Sequence, residues 1–209
     1  VSAWINPNVM DGVLRSIANK DYGWTFYAGD TCSKTDVIAL RHSRSTTYGE
    51  WSLPVSNTIG LNVWQHVVVT YDGTSVSNDP VFYVNGSPVV SSECSTPVGS
   101  LSNDSGYSGF IGGLDYSNPY FSGAIDEARI YNRILSAEEV AKLYLTTTPD
   151  NPDTGLVGYW PFNGKDISGT TAYDRSGKGG NGTLTNSPTK SIGKVGQALS
   201  FNGTNSDVI

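Results

Sequence analysis

Charged residues, methionine and long apolar runs are all scarce in this sequence. Asp, Glu, Lys and Arg make up 15% of the 209 residues, and hydrophobic residues make up 37%. This balance excludes a highly charged disordered tail. No apolar run approaches the roughly 20 residues that a membrane helix needs, so the sequence predicts no membrane span.

Basic residues are the scarcer of the two charge classes. The 13 Lys and Arg face 19 Asp and Glu, which gives a formal net charge of -6. A surface of this sign repels phosphate backbones, so nucleic acid is not expected as a partner. An acidic surface rich in Asn and Gly suits a calcium-containing medium, and we expect an extracellular or cell-surface location.

Cysteine and histidine are equally rare, with two of each in the chain. Cys32 and Cys94 have neither the spacing of a metal knuckle nor that of a redox CxxC pair. We predict that they form a disulfide, worth about 4 kcal/mol in the chain-entropy model, and the alternative is two free thiols. His42 and His66 form no HxH or HExxH motif, and His66 lies in a predicted strand, which favours a structural role.

Turn-forming and aromatic residues are abundant, with 24 Gly, 12 Tyr and 5 Trp. Short runs such as "GWTFYAG" and "DVIALRHS" alternate with a period of two, as strands do. Asn85-Gly86 separates two β-rich arms and predicts a tight hairpin turn. Ser136 and Glu139 form a capping box that predicts one helix over 137–144. The sequence therefore predicts an all-β protein with one short helix.

Several segments together resemble a known domain family. "VSAWINP", "WQHVVVTYDG", "VFYVNG" and "FSGAIDEARIYNRILSAEEVAKLY" are similar to the later part of a LamG-like jelly-roll domain of the concanavalin A-like lectin/glucanase superfamily. "LVGYWPFNG", "TAYDRSGKGGNGTLTNSPT" and "GKVGQALSFNGTNSDVI" resemble the first part. The resemblance implies a two-sheet antiparallel sandwich whose parts occur in permuted order: 1–146 as the major C-terminal part, 147–154 as a linker, and 155–209 as the N-terminal strands.

Three arrangements of these two parts remain open at the sequence level. The segment 155–209 folds back onto its own chain, or it inserts into a neighbouring identical chain as a donated set of strands. In the third arrangement the whole chain is one period of a tandem array, cut at an arbitrary point. A segment of fewer than 60 residues with a few strands leaves one face of its sheet exposed to solvent. We therefore expect 155–209 to need the larger part in order to fold stably.

The resemblance also implies a structural calcium ion on the convex side of the sandwich. It places one acidic ligand in the last strand, at Asp126, and another in a Gly-rich loop, at Asp174. Gly177 and Asn181 are the candidate oxygen donors of that loop, because calcium takes six to eight oxygens. The alternative for such an Asp is to cap its own turn.

The sequence argues against an enzyme and for a binding or structural module. Glucanases of this superfamily carry a closely spaced Glu-x-Asp-x-x-Glu motif, whereas Glu50 stands alone here. Sugar binding would instead use exposed aromatic rings, and the candidates lie in or beside loops: Tyr22, Trp24, Tyr48, Trp51, Tyr116 and Tyr120. The alternative for Trp24 and Trp51 is the sandwich core. We predict a non-enzymatic, calcium-stabilised extracellular unit with a structural or adhesive role, or alternatively a carbohydrate-binding module.

Overall fold

The computed structural model describes residues 1–54, 59–113, 120–146 and 154–209. Over these ranges the chain forms 18 strands and one α-helix. The strands are, in chain order, β1 (Ser2–Pro7), β2 (Arg15–Lys20), β3 (Trp24–Thr31), β4 (Lys34–His42), β5 (Gly49–Ser52), β6 (Gln65–Thr70), β7 (Val81–Val84), β8 (Ser87–Val89), β9 (Ser92–Ser95), β10 (Gly109–Ile111), β11 (Ser122–Tyr131), β12 (Leu156–Trp160), β13 (Ile167–Ser168), β14 (Thr171–Ala172), β15 (Gly182–Thr185), β16 (Thr189–Ile192), β17 (Gln197–Asn202) and β18 (Asp207–Val208). The helix is α1 (Ala137–Leu145), and a short 3₁₀ helix spans Gly164–Asp166.

The described strands form two antiparallel sheets. The eight-stranded sheet has the order β16-β17-β11-β1-β6-β7-β8, and β12 also pairs with β11. The ten-stranded sheet has the order β13-β14-β15-β18-β10-β2-β3-β4-β5-β9. This architecture confirms the predicted all-β, two-sheet sandwich with one short helix.

The core lies between the two sheets and consists of the inward-facing residues of neighbouring strands in both sheets. Phe26 on β3 and Phe82 on β7 are both fully buried, and their ring centroids lie 6.5 Å apart. Trp51 on β5 and Ile5 on β1 belong to the same cluster. Alternation with a period of two therefore places one face of each strand in the core, as the sequence predicted.

Local sequence signals placed the helix and one hairpin correctly. Ser136 caps α1 and pairs with Glu139 in a capping box, so the predicted span 137–144 is one residue short of the observed helix. Val140 and Leu143 of α1 pack on the outer side of the eight-stranded sheet. Asn85-Gly86 forms the turn between β7 and β8, where both residues have positive φ.

Strand β11 joins the two parts of the chain. One of its edges pairs with β1. Its other edge pairs with β17 over Ser122–Ile125 and with β12 over Ala128–Tyr131, and both of these partners belong to segment 155–209. In this structure the segment therefore pairs with strands of its own chain. Of the predicted linker 147–154, all but Thr154 lies outside the described residues.

Candidate functional site

The structure joins Cys32 and Cys94 in a disulfide with a Cα–Cα distance of 5.4 Å. Cys32 lies in the turn between β3 and β4, and Cys94 lies in β9, the last strand of the ten-stranded sheet. The bond therefore ties a hairpin turn to the edge of its sheet. Edge strands have unpaired backbone groups on one side, so a covalent tie limits fraying there.

Asp126 lies in the middle of β11 and is fully buried. Its Oδ2 accepts a hydrogen bond from the backbone N–H of Val195 at 2.9 Å, whereas its Oδ1 has no partner. Removal from water raises the pKa of Asp126 to about 7, and the Val195 N–H opposes this only in part. Asp126 is therefore a buried carboxyl group with one oxygen that accepts no hydrogen bond.

Asp174 has a contrasting environment in the loop that follows β14. Its Oδ1 accepts the backbone N–H groups of Tyr159 (2.9 Å) and Ser176 (2.8 Å). Its Oδ2 accepts the Ser176 hydroxyl (2.7 Å) and the Gly180 N–H (2.9 Å). Burial acts to raise the pKa of Asp174, but these hydrogen bonds outweigh it and lower the pKa below its usual value.

The four predicted calcium ligands have different hydrogen-bond partners. The partner of Asp126 is Val195, whereas those of Asp174 lie in its own loop and in β12. The Oδ1 of Asn181 accepts the Asp174 N–H at 3.0 Å, and Gly177 lies in the same loop with a φ of 79°. In the described ranges no three His, Cys, Asp or Glu side chains are arranged to hold a metal ion. Asp126 keeps one oxygen without a hydrogen-bond partner, whereas Asp174 caps its own turn.

The sugar-binding candidates separate by exposure. Trp51 is 1% exposed, packs in the core and donates its Nε1–H to Asp79. Its ring therefore has no exposed face for a ligand, and the prediction that Trp51 binds sugar is wrong. Tyr120 is partly buried beside Ser16. Tyr116 lies outside the described residues.

Trp24 lines an open cavity of about 140 Å³ between the two sheets, together with His42 and Tyr71. His42 packs edge-on against Tyr71, with ring centroids 5.1 Å apart. Burial lowers the pKa of His42 to about 4, so its imidazole is neutral at physiological pH. The cavity therefore offers aromatic walls with little charge from this histidine.

Two tyrosines form an exposed stacked pair. Tyr22 in the β2–β3 turn is 55% exposed, and Tyr107 in the loop before β10 is 40% exposed. Their ring centroids lie 4.2 Å apart with an interplanar angle of 30°. The Lys20 ammonium donates to the Tyr107 carbonyl and links the two loops. Tyr107 was not among the predicted residues, because no sequence pattern connects these distant loops.

A polar network surrounds Glu50, the residue that has no neighbouring acid in the sequence. The Oε1 of Glu50 accepts hydrogen bonds from the Tyr27 and Thr31 hydroxyls and from Arg41, whose Nη2 lies 2.8 Å away. The Arg41 guanidinium lies 4.5 Å from the ring centroid of Tyr48, which is 42% exposed. Glu50 thus anchors a cation and an exposed aromatic ring on the ten-stranded sheet.

Comparisons with known proteins agree with this fold. A laminin G-type family model, described as Concanavalin A-like lectin/glucanases superfamily, matches residues 1–141. No curated protein matches the chain. No helix in the described ranges combines the length and apolarity of a membrane span. The chain belongs to the concanavalin A-like lectin/glucanases superfamily.

Proposed function

We propose that this chain is a non-enzymatic extracellular module with a structural or adhesive role. The observation that carries the proposal is the pairing of β11, whose two edges receive strands from both parts of the chain. We expect such a sandwich to need both sets of strands for stability, which suits a unit that holds a chain together under load. The predicted disulfide fits an oxidising location outside the cell.

The partners in this role are identical or similar modules. The pairing of β11 with β12 and β17 does not depend on which chain supplies those strands, so a neighbouring copy can complete the sandwich by strand complementation, as can tandem repeats. The contacts are the same in both cases, and the balance depends on chain concentration.

A cross-linking experiment tests the exchange of strands. Ala124 of β11 pairs with Ser200 of β17, and both are partly exposed. We expect Ala124→Cys with Ser200→Cys to give disulfide-linked dimers whose share rises with protein concentration during refolding. The control is Asn6→Cys with Ala124→Cys, a pair within the larger part that links only inside one chain. Cross-links confined to single chains at every concentration would reject the exchange.

Calcium is proposed at Asp126 rather than at all four predicted residues. Its unpartnered Oδ1 is a buried acceptor, and a cation bound there would neutralise a carboxylate that burial disfavours. We expect calcium to raise the melting temperature of the wild type and to have no effect on Asp126→Asn. Asp166→Asn, at another buried acid, is the control and keeps the calcium response. A wild-type melting curve that is the same in calcium and in chelator contradicts the proposal.

Carbohydrate binding is the second candidate function, and the stacked pair of Tyr22 and Tyr107 favours it. Exposed aromatic rings beside polar groups offer apolar contact and hydrogen bonds together, as binding sites need. We expect a glycan array to give a defined positive that Tyr22→Ala and Tyr107→Ala both abolish. Tyr48→Ala, at an exposed ring that contacts Arg41 instead, is the comparison and should keep the signal. A positive signal that survives both substitutions in the pair excludes this platform.

The absence of catalysis is part of the same proposal. Retaining glycosidases need two carboxylates about 5 Å apart, one of them free to attack. The Oε1 of Glu50 is instead occupied by hydroxyl and guanidinium donors. We expect no hydrolysis of β-glucan oligosaccharides. Turnover that Glu50→Gln abolishes would make the chain an enzyme.

A further inference from the structure

We infer that the carboxylate of Asp174 organises the Gly-rich loop 174–181 in the place that the family resemblance gives to calcium. The loop then keeps its shape without a metal ion. The inference concerns this loop alone and is independent of a cation at Asp126.

The first argument is the saturation of the carboxylate. An ionised carboxylate offers about four acceptor sites, and it has no hydrogen to donate. Four donors reach Asp174, two on each oxygen, at 2.7 to 2.9 Å. A calcium ion at 2.3–2.6 Å from either oxygen would have to displace N–H or O–H groups that point at the same lone pairs.

The second argument is the character of the donors around the loop. Three backbone N–H groups converge on the one carboxylate, those of Tyr159, Ser176 and Gly180. Converging N–H groups form a concavity that binds anions, not cations. Gly177 and Gly179 both have φ near 80°, a conformation that glycine adopts without strain, and this lets the short loop curl around its own Asp. The side chain of Asp174 is the anion that this concavity holds.

The third argument is what the anchored loop supports. Gly180 also accepts the Nε1–H of Trp160 at 3.0 Å, so Asp174 and Gly180 attach the loop to two successive residues of β12. Trp160, Gly180 and Asn181 together line a second cavity of about 300 Å³. Asp174 is therefore a positioning residue for one wall of that cavity, and the wall needs no ion.

Amide signals measured by NMR test the inference in the wild-type chain. We expect calcium titrated to about 10 mM, above the range typical of extracellular sites, to leave the Gly180 and Ser176 amide shifts unchanged. If the cation binds at Asp126, the Val195 amide moves in the same titration, which separates the two proposals. A saturable shift of the Gly180 amide, with the Val195 amide unmoved or not, would overturn the inference.

Terbium provides an independent readout because Trp160 lies beside the loop. Terbium emission sensitised by an indole requires the ion to lie close to the ring. We therefore expect terbium to give the same sensitised emission with the wild type and with Trp160→Phe, because no ion binds beside Trp160. Sensitised emission that this substitution abolishes, and that calcium competes away, would place an ion in the loop.

Substitution of Asp174 tests the role of its carboxylate. In Asp174→Asn an NH₂ group replaces one oxygen and faces two donors, so two of the four hydrogen bonds are lost. The NH₂ group faces either Gly180 or Tyr159, depending on how the amide is oriented. We expect hydrogen exchange of one of these two amides to accelerate about tenfold or more, in calcium and in chelator alike. Asp72→Asn, at another Asp that caps its own turn with Thr74, is the matched control and leaves Gly180 unaffected. Unchanged exchange of both the Gly180 and the Tyr159 amides in Asp174→Asn would overturn the inference. Ser176→Ala provides a milder variant if the first does not fold.

Discussion

The ring of Phe201 lies directly against the backbone of Gly112. A Cβ built on Gly112 would stand 2.4 Å from Cδ1 of Phe201, and Gly112 has a φ of +77°. Phe201 belongs to β17 in the C-terminal segment, whereas Gly112 follows β10 in the larger part. A core contact with no space for one methyl group therefore joins the two parts of the chain.

Substitutions at this contact should destabilise the whole sandwich. Phe201→Ala leaves a cavity between the sheets, and we expect a loss of about 3–5 kcal/mol in the free energy of unfolding. Gly112→Ala should also destabilise the folded chain, because the new methyl group clashes with the ring and alanine, unlike glycine, is strained at this φ. Urea unfolding measures both losses, and Val90→Ala at an exposed position is the control. A Phe201→Ala variant as stable as the wild type would show that the segment does not share the core.

Reduction of the disulfide should lower stability without changing the fold. The Cys32–Cys94 bond spans a sequence separation of 62 residues. A loop of that length corresponds to about 4 kcal/mol in the chain-entropy model. We expect Cys32→Ser with Cys94→Ser and the reduced wild type to melt at the same lower temperature. A wild-type melting temperature that is insensitive to reductant contradicts the prediction.

Acidification should destabilise the chain through His66. The ring is fully buried on β6, its Nε2 lies 2.9 Å from the Ser2 hydroxyl, and burial followed by the charge of Arg129 lowers its pKa from 6.5 to about 3. Between these two values the unfolded chain binds the extra proton and the folded chain does not. The contribution of His66 to the free energy of unfolding therefore falls as the pH drops through this window, by up to about 1.4 kcal/mol per pH unit. Asp126, whose pKa is raised to about 7, contributes with the opposite sign over the same range.

The variant His66→Gln isolates this contribution, because glutamine keeps a polar group near Ser2 and does not titrate. Asp126 titrates in both proteins, so the difference between them reports on His66. We expect urea unfolding to show that acidification from pH 6.5 to pH 4 changes the free energy of unfolding less favourably in the wild type than in the variant. Equal changes in the two proteins would mean that His66 is protonated in the folded state as readily as in the unfolded chain.

Loss of the helix cap should have a local and smaller effect. Ser136 accepts the N–H of Glu139, and Glu139 in turn accepts the N–H of Ser136. We expect Ser136→Ala to cost about 1 kcal/mol, and chemical unfolding measures it. Ser87→Ala, at an exposed strand position, is the control. A cost indistinguishable from that of Ser87→Ala would show that the box adds nothing to α1.

Local structural features were the ones that the sequence predicted correctly. The capping box at Ser136, the Asn85-Gly86 turn and the alternation around Phe26 each depend on residues a few positions apart. The LamG-like resemblance added the sandwich, which the family match over 1–141 confirms. The exposure of Trp51 was beyond sequence reasoning, because it depends on which strand of the opposite sheet covers the ring.

The amino-acid order by itself determined the strand and helix content, the hairpin turn and the acidic character of the surface, since these follow from short-range geometry and charge. Tertiary structure alone decided the environment of Asp126, which β11 buries with one oxygen unpaired. It also brought Tyr22 and Tyr107 together. Each of these outcomes depends on contacts between distant segments, which form only when the two sheets close over one another.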